Sequence, residues 1–278
     1  VVLGGGFRGL VASFLLAKKG HPVTLVERSL FCGGVLQSPE WNGLYCDLGC
    51  QLFDNTDREH ASVLTEMVGG QDAFHSVDLK YASLTGDNTV SDISVVDLSH
   101  EYSRYSSIWL EQLNNSSAKR SEVLGPSLDD ALEERYGRHI SMTLRPIVKK
   151  AYATHPCNID RVAIKQGLFS RIRIADDETS MMLKRDPYLD RVLAASNLNN
   201  PMLNYPQMSK AFGRNFYPSA GGLSSFVEKT VSTLKALGVT IINDDAIESI
   251  EAVAKTDHNI RVRTLAGFEL IADNVIST

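Results

Sequence analysis

The residues with the most chemistry to offer stand at the start of the chain. Gly4, Gly6 and Gly9 form a Gly-x-Gly-x-x-Gly run directly after the apolar residues Val1–Leu3, and Glu27 follows 18 residues after Gly9. Each position has a physical task. Gly4 permits a tight strand-to-helix turn, Gly6 lets backbone approach a pyrophosphate, and Gly9 lets the helix pack closely on the strand. Phe7 and Arg8 lie within the glycine run, just ahead of the helix expected over Leu10–Lys19, whose N-terminus offers free N–H groups and the positive end of its dipole to phosphate oxygens. Glu27 ends the next apolar run, Val23–Val26, where a carboxylate can accept from ribose hydroxyls and repel a 2′-phosphate. Arg28 follows it directly. Strand, glycines, helix, strand and acid stand in order, so dinucleotide binding is the expected chemistry.

The elements that position these residues can be read outward from them. Val11, Phe14, Leu15 and Ala17 have helical spacing, Gly20 is placed to end the helix, and Pro22 leads into the second strand. This βαβ unit predicts a parallel sheet in an α/β fold. Residues 33–53 read as loops with a small hairpin. Asp57 is placed to cap a helix running to Met67, and residues 71–107 read as short strands. Ser127 opens a helix over Leu128–Tyr136, with Asp129 and Asp130 in its first turn. A further helix is expected over Arg145–Ala153 with Pro146 at its beginning, and residues 176–215 give little periodic signal. Order returns with an amphipathic helix through Leu223, Phe226, Val227, Val231 and Leu234. A strand over Val239–Ile242 follows, then hairpin strands at Ile260–Arg263 and Phe268–Ile271, and a last strand starting at Val275.

Composition sets the outer limits. The 278 residues carry 28 Lys plus Arg against 33 Asp plus Glu, a formal net charge of −5, with 43% hydrophobic residues. That is ordinary for a globular protein. The acidic balance argues against a nucleic-acid partner, and no window approaches the roughly 18 uncharged apolar residues of a transmembrane segment. Cys46 and Cys50 lack the Cys-x-x-Cys spacing of zinc or dithiol sites, and with Cys32 and Cys157 they suit a reduced, cytoplasmic setting with no metal. Cys46 and Cys50 read as small buried strand residues, and the seven histidines are scattered over surfaces and turns. The chain opens inside an apolar run without Met, which suggests that something precedes Val1.

Glu27-Arg28-Ser29-Leu30-Phe31-Cys32-Gly33-Gly34, taken with the opening glycines, resembles the FAD signature of the flavin amine oxidase superfamily. That group includes amine oxidases, protoporphyrinogen oxidases, phytoene desaturases and, more distantly, UDP-galactopyranose mutases. The resemblance implies FAD as cofactor, with Gly33 and Gly34 passing close to its diphosphate and ribityl chain. Val35 stands where the family often has Arg. Asp47-Leu48-Gly49 looks like the segment beside the isoalloxazine ring, which puts Gly49 and Cys50 near the flavin. Tyr217-Pro218 with Gly221-Gly222 resembles the family's return into its FAD domain, and there Ile247 matches a position whose backbone meets the adenine. The resemblance covers 1–56 and 213–278; the family's C-terminal FAD motif has no counterpart in this chain.

The resemblance therefore implies a Rossmann-like FAD-binding domain in two segments, 1–79 and 215–278. Between them, at 80–214, it implies an inserted α+β substrate or cap region. The implied activity is that of an FAD-dependent oxidoreductase that oxidises or dehydrogenates a small-molecule substrate by hydride transfer to flavin N5. A mutase-like flavin-dependent sugar-nucleotide isomerase is the alternative, with Gln51 at the place of the mutases' histidine and Arg171 and Arg173 as candidates to grip a diphosphate. A non-catalytic dinucleotide-binding subunit is a third. No residue pattern identifies a catalytic acid, base or nucleophile.

Overall fold

The computed structural model describes residues 1–49, 52–79, 83–84, 90–91, 95–118, 125–165, 167–196, 204–205, 207–253 and 260–278. The backbone divides into two compact units, one built from residues 1–78 and 207–278, the other from 79–206.

In the first unit, strands Val2–Leu3 and Thr24–Val26 flank the helix Phe7–Lys18. Val2 pairs with Leu25 and Leu3 with Val26, in parallel. The chain returns to add Thr240–Ile242 beyond Thr24–Val26 and Ile276–Ser277 beyond Val2–Leu3, completing a four-stranded parallel sheet. Parallel neighbours need crossovers rather than tight turns, and the long gap in sequence between these strands supplies them. Helix Gly222–Ala236 buries Leu223, Phe226, Val227 and Leu234, which pack with Leu10, Phe14 and Leu25 in one core. A second, antiparallel sheet joins Phe53–Asp54, Asn215–Pro218 and Phe74–Val77. A third joins Ile247–Ala252, Ile260–Thr264 and Glu269–Ala272. Strand Ile247–Ala252 was not expected, because Glu248 and Glu251 interrupt its apolar pattern. As expected, Asp57 caps helix Arg58–Met67, its carboxylate accepting from the N–H groups of Glu59 and His60.

The second unit is mostly helical: Tyr102–Ala118, Leu128–Tyr136, Arg138–Tyr152, Asp177–Leu183 and Pro187–Val192. Trp109, Leu113, Leu132, Tyr136, Ile140 and Leu144 are fully buried at its centre. Ser127 and Asp130 form a reciprocal capping box at the start of helix Leu128–Tyr136.

Several expectations fail here. Residues 102–107, read as strand, begin the helix Tyr102–Ala118, whose Ser- and Asn-rich sequence has weak intrinsic helix preference and is held by packing. Pro146 lies inside helix Arg138–Tyr152 rather than at its beginning. The stretch from 176 contains two short helices, each started by an aspartate cap, Asp176 and Asp186. Cys46 is exposed and outside any strand, while Cys50 and Gln51 lie outside the described residues.

Candidate functional site

The glycine-rich turn is built by backbone geometry. Gly4 has φ +99° and donates to Val26 O at 2.8 Å, a conformation that side-chain-bearing residues avoid. A Cβ at Gly9 would lie 1.8 Å from Gly4 O, so the helix can sit this close to the loop only without one. Gly6 is different. It is extended backbone at the N-cap of helix Phe7–Lys18, which has no side-chain cap, and a Cβ there would meet nothing within 4 Å. The uncapped helix terminus therefore opens onto space that any side chain at Gly6 would partly fill. The first N–H groups of a helix have no partners inside it, so they are available to an anion here.

That space belongs to a cleft of about 940 Å³ lined by Gly4, Gly6, Phe7, Arg8, Glu27, Arg28, Gly33, Gly34, Val35 and Ile247, with Ser29, Asp245, Ala246 and Thr278. Its volume lies in the range of small-molecule and cofactor sites. Gly33 donates to Gly5 O at 2.8 Å, which fixes the 33–34 loop beside the first glycines. Gly49 is packed against Val35, since a Cβ at Gly49 would come within 2.8 Å of Val35 Cβ.

Glu27 is buried, with two backbone partners already: Gly5 N–H at 2.5 Å and Ser29 N–H at 2.8 Å. It thus pins the glycine loop to the end of its strand. A carboxylate offers about four acceptor sites, so two remain for hydroxyl groups. Arg8 and Arg28 are exposed at the cleft and form no ion pair or side-chain hydrogen bond among the described residues.

Asp245 is the feature that sequence reasoning missed. It is buried against the cleft, Oδ1 accepts from Ala266 N–H at 3.0 Å, and Oδ2 has no partner among the described residues. The signal was present as an acidic pair, Asp244–Asp245, between a strand and Ile247. The uncapped helix end, the open Gly6 position, the glycine loop and the unpartnered carboxylate oxygen together fit a dinucleotide.

Beside the cleft, Asp47 ties three segments together. It accepts from Ser38 Oγ at 2.5 Å, Tyr217 Oη at 2.7 Å and Leu223 N–H at 3.3 Å. Burial, reinforced by this carboxylate, pushes the Tyr217 hydroxyl up to about 12. Burial likewise pushes the Cys32 thiol up to about 11, with Glu27 adding to the effect.

Arg171 and Arg173 lie in the second unit and are engaged there. Arg171 donates to the carbonyls of Asp190 and Leu193 and stacks on Tyr205, with its guanidinium 5.1 Å from the ring centre. Arg173 donates to Ala175 O and pairs with Asp97 and Asp177. Among the described residues no group of three or more His, Cys, Asp or Glu could hold a metal, and no helix is long and apolar enough to cross a membrane.

Residues 2–67 match the NAD(P)-binding Rossmann-like domain family. A 1-hydroxycarotenoid 3,4-desaturase from Flavobacterium sp. (strain P99-3) is 40% identical over 53 residues, 19% of this chain and 11% of the desaturase. The chloroplastic prolycopene isomerase of Daucus carota is 24% identical over an alignment covering 100% of this chain and 45% of the isomerase. The chain thus spans less than half the length of either relative. Among solved structures, an oxidoreductase from Methanosarcina mazei superposes with a TM-score of 0.56 at 17% identity, over 100% of this chain and 58% of that one. A putrescine oxidase gives 0.58 at 11% identity over 100% and 56%. Reduced UDP-galactopyranose mutase gives 0.51 at 17% identity over 100% and 54%.

The N-terminal part is a Rossmann-like dinucleotide-binding domain, and the chain shares its fold with the oxidoreductase, the putrescine oxidase and the mutase. The resemblance drawn from the glycine motif and Gly33-Gly34 holds in three dimensions. It extends through the second unit, where the sequence alone gave little to compare.

Proposed function

We propose that this chain is the dinucleotide-holding part of an FAD-dependent oxidoreductase that dehydrogenates or oxidises a small organic molecule. The observation that carries the reading is the uncapped helix N-terminus facing open space at Gly6, inside a cleft that Glu27 closes at the ribose end. The helix N–H groups and Arg8 hold the diphosphate, Glu27 takes the ribose hydroxyls, and the backbone at Ile247 borders the adenine. Gly33, Gly34 and Val35 guide the chain of the cofactor away from the diphosphate, toward the loop that ends at Gly49. The flavin, when bound, supplies acceptance of a hydride at N5. The chain's own work is to bind, to orient and, through the 33–36 and 47–49 loops packed on each other, to fix the direction in which the cofactor leaves the cleft.

The test is a visible absorption spectrum of the purified protein with chromatography of whatever denaturation releases, repeated on Gly6→Val. Wild type is expected to release FAD, and folded Gly6→Val to retain none, because the valine side chain occupies the diphosphate position. A wild type that ignores FAD and binds NAD would replace this reading with a nicotinamide enzyme. Equal FAD retention in folded Gly6→Val would remove the diphosphate assignment.

A further inference from the structure

The second unit carries a pair of side chains that the dinucleotide reading does not use. His155 and Cys157 flank buried Pro156 in the 3-10 turn Pro156–Asn158, which follows helix Arg138–Tyr152. His155 Nδ1 lies 3.0 Å from Cys157 Sγ and also accepts from the Cys157 N–H at 3.3 Å. An Nδ1 that accepts a backbone N–H is unprotonated, so its lone pair faces the thiol. Proline fixes the backbone between the two residues, and both side chains are exposed. Asn158 Oδ1 stands 3.5 Å from the sulfur, and its amide nitrogen donates to Thr154 Oγ1. The Arg145 guanidinium is held by two bonds to Asp129, and a charge on Cys157 favours its charged form.

We propose that Cys157 is a modification site at which the thiol, deprotonated by His155, exchanges with low-molecular-weight disulfides. The proton moves from Sγ to His155 Nδ1, and the thiolate attacks one sulfur of the small disulfide. A new bond forms from Cys157 Sγ to that sulfur while the small disulfide's own bond breaks. The departing thiolate is reduced and takes the proton from His155, and the Cys157 sulfur is oxidised to the mixed disulfide. Attack by a thiolate is what sets such rates, and an ordinary thiol is only a few per cent ionised at neutral pH.

The same chain supplies the control. Cys46 is also exposed, but its sulfur makes no side-chain hydrogen bond among the described residues, whereas Cys32 is buried. The whole protein is exposed to oxidised glutathione at pH 7, quenched with acid at intervals, and each cysteine peptide is read by mass. Cys157 is expected to form the mixed disulfide about tenfold faster than Cys46, because a base stands 3.0 Å from its sulfur to take the proton as attack begins. His155→Asn keeps an acceptor for the Cys157 N–H but cannot take the proton, so it brings Cys157 to within about twofold of Cys46 and leaves Cys46 unchanged. Equal rates at Cys157 and Cys46 in wild type, or an unchanged Cys157 rate in folded His155→Asn, would overturn the proposal.

Discussion

The cleft of the first unit and the interior of the second use their cations in opposite ways. At the cleft of the first unit, Arg8 and Arg28 stand exposed without ion pairs among the described residues, and the helix beginning at Phe7 has no side-chain cap. In the second unit, the half-buried and buried cations are consumed by the fold. Arg171 and buried Lys184 both donate to the carbonyls of Asp190 and Leu193, closing the C-terminal end of helix Pro187–Val192, and Lys184 also meets Asp190 Oδ1 at 2.8 Å. Arg161 joins Gly125 O to Glu134, and Arg145 grips Asp129 with two bonds. Groups left unpaired in a folded protein are candidates for ligands. Groups fully paired inside are held for stability, because a buried polar group without a partner is costly. The contrast teaches that an arginine's sequence neighbourhood does not reveal which of these it is.

The sharpest way to break the contrast is to remove one apolar or one cationic side chain from the second unit. Leu132→Ala, at a fully buried site, is expected to destabilise the protein by about 2–5 kcal/mol in urea unfolding. Arg171→Ala should cost about 1.5–3 kcal/mol of stability, the range for hydrogen bonds to a charged group, since it leaves Lys184 as the one cation on the Asp190 and Leu193 carbonyls, and should leave dinucleotide affinity unaltered. An Arg171→Ala protein of wild-type stability would mean that the side chain is not spent on the fold.

Glu27→Ala addresses the other unit. It should weaken dinucleotide binding by about 1.5–3 kcal/mol, the range for hydrogen bonds to a charged group, as read by titration calorimetry. Some of that loss comes through the loop, because Glu27 also holds Gly5 N–H and Ser29 N–H. Retained affinity would remove Glu27 from the ribose.

Alkaline pH should act on the first unit through Cys32. Its thiol titrates at 9.0 when unperturbed and at about 11 in the fold, because burial disfavours the thiolate. Below 9.0 both states hold the proton and nothing changes. Above it the unfolded chain ionises first, so stability is lost as pH rises toward about 11. Tyr217 adds a second loss of the same sign between 10.0 and about 12. Cys32→Ala should flatten the first part of that decline in urea unfolding followed from neutral to alkaline pH. A decline of unchanged slope would mean that other groups carry it.

How much of this was legible follows from how local each signal is. The glycine turn, the Asp57 cap and the Ser127 cap are each written within a few residues, and the structure has them as read. Helix Tyr102–Ala118 was not legible, because among its described side chains only Trp109 and Leu113 are fully buried and the sequence around them is hydroxyl- and amide-rich. Its helicity comes from packing against Leu128–Tyr136 and Arg138–Tyr152, which a local pattern does not contain. Pro146 misled because proline favours the first turn of a helix, yet here it is carried mid-helix in Arg138–Tyr152. At the site, the acidic pair holding Asp245 was legible, but its role was hidden for a related reason. Nothing in its neighbours says that Ala266, far along the chain, would occupy one carboxylate oxygen and leave the other.

The two caps allow a final, smaller comparison, because the same chemistry was legible in both units. Asp57 accepts from two N–H groups at 2.9 and 3.0 Å, and Ser127 accepts from Asp130 N–H at 3.2 Å while Asp130 returns a bond to Ser127 N–H at 3.0 Å. The two N–H bonds hold the Asp57 carboxyl below its ordinary range, and the Ser127 hydroxyl, donating to Asp130 Oδ2 at 2.5 Å, does the same for Asp130 with the Ser127 N–H adding to it. Asp57→Ala and Ser127→Ala should each cost about 1 kcal/mol. The two then separate on acidification. A carboxyl held low contributes stability that is present above its unfolded value and is lost as pH falls through its folded one, so the Asp57→Ala penalty shrinks in acid. In the Ser127→Ala protein, Asp130 keeps the Ser127 backbone N–H and loses only the hydroxyl, so part of its acid sensitivity survives. Urea midpoints of both variants at neutral pH and at pH about 3 measure this, and a Ser127→Ala penalty that vanishes in acid as completely as that of Asp57→Ala would show that the hydroxyl alone holds Asp130 ionised.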